Sequence, residues 1–185
     1  MSSDPRFLEA WVNHAGHRVF GRKLHPLCFL DLVALEVVDS PFLPGSKNRA
    51  CATRHDFNLA VHILSAPIKS LELSDRIARP SLVSRMVFSR YDLAKANAAL
   101  QAYFDDYFTT LEMWREPSAG KSCQAPWVLA QAAFLMQHTS LSEWRIWTAP
   151  IGQMLCYCAA LEEQLSQSQV VSPEERKIME GDRNG

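Results

Sequence analysis

Gly120-Lys121-Ser122 is the triplet whose residue types come nearest to phosphate chemistry. In a phosphate-binding loop, backbone N–H groups cradle the phosphate oxygens, the lysine neutralises them and the hydroxyl takes a magnesium ion. That loop also needs an earlier glycine for its tight path, and Arg115 stands there instead. It needs a buried strand before it and a helix after it. Here an amphipathic helical pattern precedes it and Pro126 interrupts the continuation. The triplet reads as part of a solvated loop over 118–124. A nucleotide-binding enzyme using 120–122 is the least favoured of the functional alternatives.

The histidines and cysteines offer metal or redox chemistry. His14 and His17 are spaced for one helical face, with Cys28 further along, but Gly16 separates them and no further ligand at a recognisable spacing completes a zinc set. His55 and His62 lie two helical turns apart, roughly 10 Å, too far to share one ion. All six histidines, His25 and His138 included, read as surface or satisfied core side chains rather than ligands. The five cysteines, Cys28, Cys51, Cys123, Cys156 and Cys158, are odd in number and irregularly spaced, and they read as reduced thiols packing as small apolar groups. Cys156 and Cys158, at i and i+2 on a helix, point to different sides and make no redox pair.

Acid–base and nucleophilic chemistry fare no better. No Gly-x-Ser-x-Gly nucleophile elbow occurs. Asp105-Asp106 and Glu162-Glu163 are adjacent acidic pairs, but neighbouring helix residues diverge by about a hundred degrees, so neither is a ready dyad. The chain is therefore read as a non-enzyme, with no catalytic, cofactor-binding or metal-binding residue assigned.

Composition sets the wider bounds. A length of 185 residues suffices for one sizeable core, and 48% hydrophobic with 21% charged residues is ordinary for a globular domain. A net charge of −1 gives no global drive toward nucleic acid or an anionic membrane. No apolar run approaches the ~20 residues of a membrane span. The start, Met-Ser-Ser-Asp-Pro-Arg, lacks a basic region followed by an apolar stretch, so a cytosolic site of synthesis is expected.

The elements are mostly helical. Nearly all of the ten prolines fall where a helix could start or stop. Asp4 to Asn13 is a first short helix, and Arg18 to Leu24, interrupted by Gly21, is a small β-hairpin. Leu27 to Val38 is a buried helix, and Ser40 to Ala52 is a loop. Thr53 with Asp56 caps a helix through Leu64. Leu82 to Phe88 forms one or two turns. From Asp92 to Trp114, the residues Leu93, Ala96, Leu100, Phe104, Tyr107, Leu111 and Trp114 make one helical stripe. Trp127 to Gln137, Leu141 to Thr148 and Ile151 to Gln167 complete the core. Ser140 with Glu143 reads as a capping box, and Pro150 closes one helix and opens the next. The fold class is mainly α: a single helical bundle over 1–170 with a short N-terminal hairpin, followed by a polar tail over 171–185.

Charge is uneven. Residues 41–90 hold eight basic and three acidic side chains, the basic set including Arg76, Arg79 and Arg85, whereas 139–185 hold four and seven. The first segment is either a basic face for an acidic partner or a solvated arginine-rich loop, the commoner case. Leu141 to Cys158 does not suit DNA reading, since its second helix offers Gln153 but no arginine or lysine. Trp114, Trp127, Trp144 and Trp147 lie near helix ends, and any that stays exposed is a natural interface anchor.

Three pieces carry a resemblance: Val19-Phe-Gly-Arg-Lys-Leu-His-Pro-Leu27 running into an apolar helix that ends at Asp39-Ser-Pro-Phe-Leu43; Pro126-Trp-Val-Leu129; and Glu143-Trp-Arg-Ile-Trp-Thr-Ala-Pro-Ile-Gly-Gln-Met-Leu-Cys-Tyr157. In this order they resemble small helical proteins of the tail-morphogenesis region of tailed bacteriophages and prophages, including tail assembly chaperones. The resemblance spans most of residues 18–165. It implies a protein without catalytic site or cofactor that binds the tape-measure or tail-tube protein in the bacterial host cytoplasm, and it allows a homo-oligomer. The partner-facing residues are then expected among Trp144, Trp147, Trp114, Arg76, Arg79 and Arg85. The alternative is a minor tail or connector subunit retained in the virion.

Overall fold

The computed structural model describes residues 17–43, 46, 52–77, 92–108, 113–114, 125–165 and 169–170. The first short helix, the turns at 82–88, the 118–124 loop and the 171–185 tail lie outside these residues. The described residues form seven helices and four two-residue strands.

The chain enters through the expected hairpin. Strands β1 (Arg18–Val19) and β2 (Arg22–Lys23) pair antiparallel, Arg18 opposite Lys23 and Val19 opposite Arg22. The two-residue turn requires positive φ at both positions, and Phe20 (47°) and Gly21 (79°) supply it. Helix α1 (Phe29–Val37) follows, with Phe29, Leu30, Asp31, Leu32, Ala34 and Leu35 buried. It ends in a Schellman motif: Ser40 N–H donates to Leu35 O and Asp39 N–H to Glu36 O, with Asp39 in the left-handed region at φ 50°.

Helix α2 (Arg54–Ser65) begins at the expected capping box, Thr53 accepting from Asp56 N–H while Asp56 accepts from Thr53 N–H. It buries Phe57, Ala60, Val61, Ile63 and Leu64. A single turn, α3 (Leu73–Arg76), leads to α4 (Leu93–Phe108), whose Ala96, Leu100, Tyr103, Phe104 and Tyr107 enter the core. Here the helix expected to reach Trp114 is too long. Met113–Trp114 is strand β3, paired antiparallel with β4 (Gln169–Val170), a pairing with no local signal in the sequence. The backbone groups of 113–114 find ladder partners in 169–170 instead of continuing the helical pattern.

Helix α5 (Trp127–His138) packs against both α6 (Glu143–Thr148) and α7 (Ile151–Gln164), and α5 and α6 pack against α1. The cap of α6 is Ser142, which accepts from Arg145 N–H, and not Ser140. Thr139 explains the two-residue shift: it closes α5, its hydroxyl donating to Leu135 O and accepting from Leu141 N–H, so the chain stays extended to Ser142. Pro150, at φ −52°, starts α7 as expected.

Candidate functional site

The densest polar chemistry among the described residues lies where the hairpin meets α1. Cys28 is the N-cap of α1 and Asp31 its third residue, so the short Asp31 side chain folds back on the cap, as a capping box does. Asp31 Oδ2 accepts from Cys28 N–H (3.3 Å) and from the Cys28 thiol (3.1 Å). His25 Nε2 lies 2.7 Å from the same oxygen. A carboxylate only accepts, so this nitrogen carries the ring proton. Oδ1 accepts from Arg76 Nη2, and the same guanidinium donates to Ala66 O and Ile63 O, 2.8 Å each, at the end of α2. Asp31 is fully buried and Arg76 is 2% exposed.

The short segment 24–28 is held from several sides. His25 N–H donates to Leu64 O (3.0 Å), Tyr103 Oη donates to His25 O (2.8 Å), and Ile151 N–H donates to Leu27 O (2.7 Å). Tyr103 stacks edge-on against His17 (5.3 Å between centroids) and Tyr107 (5.0 Å), and His17 Nε2 reaches Asp106 at 2.9 Å.

Electrostatics follow from burial and charge. Burial alone would raise the Asp31 carboxyl, but the His25 hydrogen bond and the charges of His25 and Arg76 outweigh it and hold Asp31 below its usual value. Burial, reinforced by the Asp31 charge, pushes the Cys28 thiol well above its ordinary value. Burial and the same charge do likewise for the Tyr103 phenol. Cys28 is therefore a neutral hydrogen-bond donor and not a nucleophile.

His25, Cys28 and Asp31 bring donor atoms of zinc-binding type within 4.8 Å of one another. The chemistry of the set works against a cation. The Arg76 guanidinium already neutralises Asp31 and stands 3.4 Å from His25 Nε2, and the thiol would have to lose a proton that its surroundings hold. What the arrangement does well is fix geometry: it ties the start of α1 to the end of α2 through a buried, hydrogen-bonded ion pair.

This cluster escapes sequence reading. Its only sequence signal is His25-x-x-Cys28-x-x-Asp31, a spacing that straddles a helix start, whereas Arg76 arrives from 45 residues away. The expectation that Arg76 faces a partner is corrected, because its guanidinium is enclosed by Asp31, Ile63 O and Ala66 O. Arg79, Arg85 and the Gly120-Lys121-Ser122 triplet lie outside the described residues. Trp114 is in β3. Trp147 is half-buried with its ring edge-on to Phe29 at 6.4 Å, so it belongs with the core. Trp144 is 45% exposed, and Trp127, also edge-on to Phe29, is 46% exposed. Among Trp127, Trp144 and Trp147 the rings are thus divided between core and surface.

Comparison with known protein families, curated proteins and solved structures returns no match to this chain.

Proposed function

We propose that this protein is a non-enzymatic binding protein of phage tail morphogenesis, acting like a tail assembly chaperone on a tape-measure or tail-tube protein. The observation that carries the binding role is Trp144, a large ring left 45% exposed on α6. An exposed tryptophan loses little in solvent when removed but supplies much of the contact energy when a partner covers it. The buried Asp31–Arg76 pair keeps α1 and α2 fixed, and α6 packs on α1, so the ring sits on a rigid support. The choice of tail proteins as partners comes from the sequence resemblance over 18–165.

Co-expression with the tape-measure or tail-tube product of the same phage tests the reading. Copurification is expected, with Trp144→Ala weakening it about tenfold or more. Failure to copurify with either, together with abundance in finished virions, would replace this reading with that of a structural tail subunit.

A further inference from the structure

We draw no further inference here: the strongest candidate, the exposed apolar patch of Leu129 and Met136 on the outer face of α5, carries nothing, because nothing in the structure shows what covers it.

Discussion

Arg76 and Asp31, 45 residues apart in sequence, meet inside the protein as a charged pair that is bound in turn to the surrounding backbone. The guanidinium donates to two backbone carbonyls at the end of α2, and the carboxylate receives His25 and the cap of α1. Such a pair contributes little net stability compared with apolar residues of the same volume, but removing one partner strands a buried charge.

Asp31→Ala or Arg76→Ala is therefore expected to destabilise by about 3–5 kcal/mol. In a chain of this size that lowers Tm by roughly 10 °C. The double change Asp31→Leu with Arg76→Met should recover most of the loss and leave about 1 kcal/mol from the missing helix cap. Thermal unfolding of the three variants measures this. Equal losses in the single and double variants would contradict the account.

Among the described residues, two groups give stability a pH profile. Asp31 is held below its unfolded value, so its contribution is present above about pH 4 and disappears as pH falls through the lower folded value. His62 is also depressed, by burial first and then by Arg22 and Arg76. The unfolded chain therefore takes up its proton first, and stability begins to decline below about pH 6.5. Chemical denaturation between about pH 3 and about pH 8 should show both limbs. His62→Gln should remove the upper limb and Asp31→Asn the lower.

Cys28 is predicted to resist thiol reagents while the protein is folded, being buried and pushed toward the neutral form. Cys156 is also buried, which raises its thiol. Site-resolved mass spectrometry after brief alkylation at about pH 8 should find both unmodified until denaturant is added. Labelling of Cys28 at the rate of a free thiol, with the fold intact, would show the cluster to be open.

Asp39 holds the left-handed position of the α1 Schellman motif, which glycine fills at least cost. Its side chain is exposed. Asp39→Gly is expected to be neutral or stabilising by about 0.5 kcal/mol. A clear fall in Tm would mean that the Asp39 side chain has a further role.

The elements whose signals are local are legible in the sequence. The Thr53–Asp56 box, the hairpin turn at Gly21, the stripe through Phe104 and the proline before α7 all lie where their residue types demand. The elements that depend on distant partners are not. Met113 and Trp114 continue a helical period but pair with 169–170, and Arg76 reads as a surface charge because nothing near it in sequence reveals Asp31. Ser140 against Ser142 is a contest between two local caps, decided by how Thr139 ends the preceding helix.

The bonds from segment 24–28 reach Leu64, Tyr103 and Ile151, so this segment joins α2, α4 and the start of α7. None of these contacts can form until chain segments far apart in sequence have come together, so the segment is organised late and at high loop-closure cost. A fragment ending before Pro126 would lack the Ile151 N–H that caps Leu27 O and the helices that cover Phe29. Such a fragment is expected to leave one face of α1 uncovered. Segment 24–28 is therefore expected to reach its native bonds only once the C-terminal helices have been made.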